Sequence, residues 1–249
     1  MTLSYDEAGT GPTLVLLHSG VCDRRMWAPQ WEPLLDAGFR VVRVDLPGFG
    51  DSPAPAPGYN EAEEVAALLG GLGVADAALV GSSYGGRIAQ EVAARWPDRV
   101  TTLALLCAAR AGRAPSPALR AFYDAEEAAL AAGDLDAAVE CNMATWVGPD
   151  ADEPTRALVR TMCRHGLSRE LAAGEYQPRA EPVDVTAITA RTLVVSGGHD
   201  LVDFQDIAVE LAGLVPDVRH VALPWAGHFP SLERPAETTA LLLDFLRAS

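Results

Sequence analysis

The sequence predicts an α/β fold, a doubly wound and mostly parallel sheet interrupted by one helical insertion. Three observations predict it. Short β-type apolar runs alternate with helical patterns along most of the chain. Those runs are apolar on both faces, as central strands covered by helices on each side must be. From residue 110 to 182 the alternation stops and only helical patterns remain.

The elements follow in chain order. Thr13–His18 is a continuous apolar run, too short for a helix and bounded by Gly11-Pro12 and Ser19-Gly20. Arg24 to Asp36 reads as a helix, and Val41–Val44 as the next strand. Pro53 to Pro57 alternates proline and alanine, a stiff extended connector. Glu61 to Leu72 is helical, Ala78–Val80 a strand, Gly85 to Trp96 a helix and Leu103–Cys107 a strand. The insertion opens with Pro115 and Pro117 and closes with Pro178 and Pro182, with helix breaks near Gly133, Gly148-Pro149 and Gly166. Beyond it, Leu193–Val195 and Val218–Leu223 read as strands, Asp206–Leu214 and Ala236–Arg247 as helices. The domain division expected is therefore a core of 1–109 and 183–249 with an insertion over 110–182.

Composition narrows the function. Of 249 residues, 49% are apolar, enough for a sizeable core. Nineteen basic residues stand against 34 acidic ones, a net charge of −15, and every basic residue is arginine. So acidic a surface repels phosphate backbones and anionic lipid, which argues against nucleic-acid and membrane-surface roles. No apolar run approaches the ~20 residues that span a bilayer, and the stretch Met1 to Gly11 lacks the basic and apolar regions of a secretory signal. Cys22, Cys107, Cys141 and Cys163 form neither a CxxC pair nor a metal-ligand spacing with histidine, and read as free thiols in a reducing cytosol.

The strongest chemical signal is Gly81-Ser82-Ser83-Tyr84-Gly85, between a strand and a helix. This is G-x-S-x-G in the context it requires. The central serine must sit on a strained turn with its hydroxyl above the sheet, and backbone passes too close to the flanking positions for any side chain. Ser82 is one residue out of register and reads as a bystander. A serine hydroxyl needs a base, and the base an orienting acid. His228, in Gly227-His228-Phe229 after the last strand, is the candidate base, because sites collect beyond the carboxyl ends of parallel strands. His220 lies within a strand, His165 within the insertion, and His199 precedes a better candidate, Asp200. That aspartate follows Gly197-Gly198 after a strand, between serine and histidine in chain order. Asp203 and Asp206 nearby read as a solvated turn and a helix N-terminus. The other place for an acid, after Leu103–Cys107, holds Ala108-Ala109-Arg110-Ala111-Gly112 and no carboxylate.

With these residues quoted, the chain resembles the α/β-hydrolase fold family. The resemblance rests on Leu16-Leu17-His18-Ser19-Gly20, on Asp45-Leu46-Pro47-Gly48-Phe49-Gly50-Asp51-Ser52, on the Ser83 turn, on Gly198-His199-Asp200, and on Gly227-His228 with Glu233-Arg234-Pro235 behind it. It covers nearly the whole chain outside the insertion. It implies that the Gly20 and Tyr84 backbone N–H groups form an oxyanion hole, although Ser19 stands where the family usually has glycine. It implies that the insertion is a cap over the site. Only Leu3–Tyr5 precedes the first Gly-rich turn, so one of the family's N-terminal antiparallel strands is expected to be short or missing.

The function implied is hydrolysis of a small or medium ester or lactone through an acyl-enzyme, by Ser83, His228 and Asp200, without metal or organic cofactor. The competing readings are C–C bond hydrolysis of a β-diketone, peracid formation, and a ligand-binding protein on the same fold. Relatives cleaving C–C bonds tend to carry tryptophan after the histidine, where Phe229 stands here. Serine at 83 in place of aspartate argues against epoxide and haloalkane chemistry. Trp27, Trp146, Trp225 and Phe229 are the expected substrate contacts, while Phe122, Tyr123 and Tyr176 divide between cap core and pocket. Arg87, in the first turn after the nucleophile, either pairs with a local carboxylate or meets an anionic substrate.

Overall fold

The computed structural model describes residues 3–173, 179 and 183–247. Strand β1 (Tyr5–Ala8) and β2 (Thr13–Leu17) open the chain, then α1 (Ala28–Asp36), β3 (Arg40–Val44), α2 (Glu61–Gly71), β4 (Ala77–Ser82), α3 (Tyr84–Arg95) and β5 (Val100–Leu106). Three helices follow without a strand: α4 (Pro117–Ala131), α5 (Leu135–Trp146) and α6 (Glu153–Ala173). The chain resumes with β6 (Arg191–Gly197), α7 (Val202–Leu214), β7 (Val218–Leu223), a single turn α8 (Pro230–Glu233) and α9 (Pro235–Arg247).

The sheet order is β1-β3-β2-β4-β5-β6-β7, with β1 antiparallel to β3 and every other pairing parallel. Strands β2 and β4 are neighbours, yet the chain runs outward from them in opposite directions. A crevice opens at such a switch point beyond the carboxyl ends of the strands. Ser19 and Gly20 lie there after β2, and Ser83 after β4.

Alternate residues of the central strands feed two cores. Val15, Leu17, Val42, Leu79 and Leu103 face one, shared with α2 and α3. Leu14, Leu16, Val41, Val80 and Leu193 face the other, which is continuous with Phe122, Met143, Trp146 and Met162 of the three inserted helices. The period of two thus assigns the insertion to one face of the sheet. The edge strand β7 loses the two-sided burial, and none of its residues is fully buried.

Most differences from the sequence reading are local. The helix expected over Arg24–Asp36 splits into a 3-10 turn at Arg24–Trp27, capped by the Asp23 side chain, and α1 proper, with Pro29 in its first turn. Helix α7 begins four residues before Asp206. The antiparallel β1 is a four-residue strand. Asp203 corrects a second expectation. It is buried, and its two carboxylate oxygens accept the Ser116 N–H at 2.8 Å and hydroxyl at 2.6 Å, so it joins the start of α4 to α7 instead of sitting in a solvated turn. Tyr176, Pro178 and Pro182 lie outside the described residues. No helix among the described residues is long and apolar enough to cross a membrane, and all four cysteines are unpaired.

Candidate active site

Ser83 has φ 49° and ψ −111°, a left-handed backbone that a residue with a Cβ adopts only under constraint. Its neighbours supply the constraint. The Ser83 N–H donates to Leu106 O at 2.9 Å, and its carbonyl accepts from the Arg87 and Ala109 amides at 3.0 Å each. The spacing of the two glycines has a steric reason. A Cβ on Gly81 would lie 2.5 Å from Gly85 O, and one on Gly85 would lie 2.6 Å from His18 O. The turn can therefore close only with glycine at both positions. Ser82 Oγ is buried in β4 without a hydrogen-bond partner, away from this arrangement.

Ser83 opens onto a cavity of about 540 Å³, within the range of small-molecule sites. His228 and the segment Ser19–Gly20 line the same cavity. The His228 Nδ1 lies 2.8 Å from Asp200 Oδ2, and both groups are buried. Asp200 Oδ1 accepts the Leu201 N–H at 2.7 Å, which fixes the carboxylate. The His228 amide donates to Trp146 O at 3.2 Å. The ring packs against Phe204, centroids 4.3 Å apart, and Trp146 at 4.6 Å. With Nδ1 committed to Asp200, Nε2 is the nitrogen left for chemistry.

Gly20 and Tyr84 adjoin each other: a Cβ on Gly20 would lie 3.5 Å from Tyr84 Cβ. Both line the cavity, and neither amide donates to a described residue. Tyr84 is the first residue of α3, so its N–H is one of the donors a helix start leaves unpaired. His18 holds the loop bearing Gly20. Its Nδ1 is 2.8 Å from Ser19 O, and its Nε2 accepts the Leu46 N–H at 2.9 Å. Burial lowers its pKa, against smaller opposing effects of the Ser19 carbonyl, Asp45 and Asp23. The unfolded chain takes a proton on His18 near its ordinary ~6.5, where the folded ring stays neutral. The unfolded state then binds more protons, so this contribution to stability is present above about pH 6.5 and is lost as pH falls toward the folded value. Urea midpoints measured from about pH 7.5 down to about 5 should drop, and drop less steeply in His18→Gln. Equal slopes would show that His18 is not the group responsible.

Cys107 completes the surroundings, at φ 45° directly after β5. Its Sγ, an Asp200 oxygen and a His228 nitrogen lie within 4.8 Å of one another, a set that could hold a metal ion. Burial, with Asp200 beside it, pushes the Cys107 thiol well up. A protonated thiol is a poor metal ligand, and the donor set fits a hydrogen-bonded dyad better than a metal centre.

Of the four expected substrate contacts, Trp146 lines the cavity. The expectation for the other three is corrected. Trp27 and Phe229 are fully buried in the second core, where their area is spent on packing. Trp225 lies outside the cavity under the Arg234 guanidinium, 4.6 Å from its ring. Arg87 pairs with Glu61 at 2.9 Å and stacks on Tyr84 at 4.6 Å, so the local carboxylate claims it. His220 Nε2 meets Ser196 Oγ at 2.9 Å within the sheet edge, a structural contact.

The alpha/beta hydrolase family model matches residues 14–241. The chain belongs to the alpha/beta hydrolase family. The pimeloyl-[acyl-carrier protein] methyl ester esterase of Chromobacterium violaceum is 31% identical over 258 residues, covering 99% of this chain and 98% of that protein. The 2-hydroxy-6-oxo-6-phenylhexa-2,4-dienoate hydrolase of Comamonas testosteroni is 26% identical, over 98% of this chain and 91% of that one. Among solved structures, the enol-lactonase from Burkholderia xenovorans LB400 superposes with a TM-score of 0.81 at 28% identity, covering 99% and 96% of the two chains.

Sequence reasoning missed several residues of this alpha/beta hydrolase's site. Phe204 lies four positions after Asp200 and supports the His228 ring, with no motif to mark it. Glu126 and Asn142 enter the cavity from α4 and α5, on helices whose sequences resemble any amphipathic helix. Glu233 was visible only as part of a familiar string. Its buried carboxylate accepts the amides of Gly227 at 2.7 Å, Phe229 at 3.0 Å and Gly148 at 3.3 Å, and burial raises its pKa despite these donors.

Proposed function

We propose that this protein is a serine hydrolase that cleaves a small or medium carboxylic ester or lactone through an acyl-enzyme. One observation carries the proposal: a serine held in a left-handed turn between β4 and α3 shares a cavity with an imidazole whose Nδ1 is hydrogen-bonded to a buried aspartate. Esterase and enol-lactonase relatives over the full chain length support the same reaction type.

The proposed chemistry gives each of these groups a role. Nε2 of His228 removes the Ser83 proton as Oγ attacks the acyl carbon. Asp200 keeps Nδ1 protonated and stabilises the imidazolium that forms. The Gly20 and Tyr84 amides meet the developing oxyanion, and loss of one such donor costs about 3 kcal/mol of barrier. The imidazolium then protonates the leaving oxygen. Water, deprotonated by the same nitrogen, releases the acid and restores Ser83. The three helices α4–α6 act as a cap that walls the cavity from solvent and sets the shape of the acyl or alcohol group accepted.

A fluorophosphonate probe tests the nucleophile directly. The labelled peptide should contain Ser83, at one probe per chain, with p-nitrophenyl acetate hydrolysis lost in step with labelling. Labelling at another serine, or full labelling with hydrolysis intact, would remove the proposal. A parallel panel of esters, lactones and β-diketones separates ester hydrolysis from C–C cleavage.

A further inference from the structure

The cavity has two chemically different walls. Ser83, Gly20, Tyr84 and His228 make the one at the sheet. The second wall, from α4–α6, is aromatic with one polar relay set into it; its Trp146 adjoins His228, and the relay leads from there through Asn142 to Glu126. Trp146 Nε1 donates to Asn142 Oδ1 at 3.1 Å, and Asn142 Nδ2 donates to Ala138 O at 2.9 Å and to Glu126 Oε1. An indole N–H can only donate, so it dictates which way the Asn142 amide faces. Nδ2 must then point at Glu126, which is held there as an acceptor. Glu126 Oε2 accepts from no described residue.

Nothing among the described lining residues balances that carboxyl. The chain has no lysine, no arginine lines the cavity, and Arg87 is committed to Glu61. Glu170 is also on the lining. Burial raises the Glu126 pKa, the Asn142 donor opposes this, and Glu170 reinforces it. A carboxyl in such a place is relieved by a ligand that brings positive charge and penalised by one that brings another negative charge. The rings beside it suit the same ligand. Phe122 and Trp146 lie 4.8 Å apart edge to face, and aromatic faces attract cationic nitrogen.

We propose that Glu126 determines specificity: the cavity takes esters whose end remote from the scissile carbonyl carries a cationic nitrogen, and it turns away those ending in a carboxylate. The inference rests on the ester-hydrolase reading and adds the substrate class. Charge pairing and π-face contact both act at the remote group, so they sort substrates by that group while leaving the reacting atoms alike.

The test uses esters matched in length and shape that end in tert-butyl, trimethylammonium or carboxylate. Each end group is placed in turn on the acyl side, as p-nitrophenyl esters, and on the alcohol side, as acetate esters followed by pH-stat. On at least one side, kcat/KM should rank ammonium above tert-butyl above carboxylate, with about tenfold or more between the extremes. Glu126→Gln should compress that range to about threefold or less, and Glu126→Asp should keep the ranking. A carboxylate ester cleaved as fast as the tert-butyl ester on both sides would overturn the inference. So would a ranking that Glu126→Gln leaves unchanged. The tert-butyl esters report the parent reading by themselves. If they are not cleaved, or are cleaved equally by Ser83→Ala, the hydrolase reading falls and takes this inference with it. If Ser83 cleaves them and the ranking is flat, only the role of Glu126 falls.

Discussion

Ser83→Ala is expected to lower kcat for a p-nitrophenyl ester by ~10⁴-fold or more and to leave the chain folded. The size follows from the proposed mechanism, in which removing the attacking oxygen leaves only binding and the oxyanion donors to act on water. Ser83→Gly extends the prediction. It removes the same oxygen, and it also removes the Cβ held at φ 49°. A non-glycine residue in such a region costs about 1–3 kcal/mol. Part of that is returned to the unfolded chain as glycine's extra freedom, so a net gain of roughly 1 kcal/mol is expected from urea unfolding. Loss of activity together with a gain in stability would mark the strain as retained for catalysis. Substantial turnover in either variant would place the nucleophile elsewhere. A glycine variant less stable than wild type would show that the serine side chain, and not the turn, holds this backbone.

The parts of the molecule legible in the sequence are those encoded over short spans. The two-sided apolar runs of β2 and β4 need only five or six residues to declare a buried parallel strand. The G-x-S-x-G turn is likewise compact in sequence, and Gly81 is required by a clash within the turn, whereas Gly85 is required by a tertiary approach of the Leu17 and His18 carbonyls at the end of β2. Chain order and their places after strands single out Asp200 and His228, which the structure brings together at 2.8 Å. What escaped was decided by tertiary packing. Trp27 and Phe229 sit next to site-forming loops in sequence, yet their rings turn into the second core. Asp203 looks solvated until α4 is laid against α7 and brings Ser116 to it. Glu126 lies on a charged, helix-forming stretch like many others, and only the fold directs it into the cavity while its neighbour Glu127 faces solvent.

Glu233→Ala should be the most damaging substitution outside the reacting groups. Glu233 closes the one-turn α8, and its carboxylate gathers three backbone N–H groups that have no other partner among the described residues. Two of them, on Gly227 and Phe229, flank His228. The third, on Gly148, lies just beyond α5. One buried side chain therefore fastens the histidine loop at both sides and ties it to the inserted helices. An unsatisfied buried donor costs about 1–3 kcal/mol. With some of that returned by water entering the space, Glu233→Ala should lose about 3–5 kcal/mol of stability in urea. Activity should fall with it, because an imidazole displaced by ~1 Å can cost ~100-fold in rate. The loss should appear in kcat more than in KM, since Glu233 does not line the cavity. Glu233→Gln sharpens the distinction. Its shape is preserved, but one acceptor oxygen becomes an NH2 donor facing an amide donor, either Gly227 on one side or Gly148 and Phe229 on the other. If shape alone mattered, glutamine would behave as wild type. If the carboxylate is needed as an acceptor on both oxygens, glutamine should fall between wild type and alanine in stability and in kcat alike. A glutamine variant indistinguishable from wild type in both would mean that the histidine loop is held by other contacts, among them His228 Nδ1 to Asp200 and the His228 amide to Trp146 O.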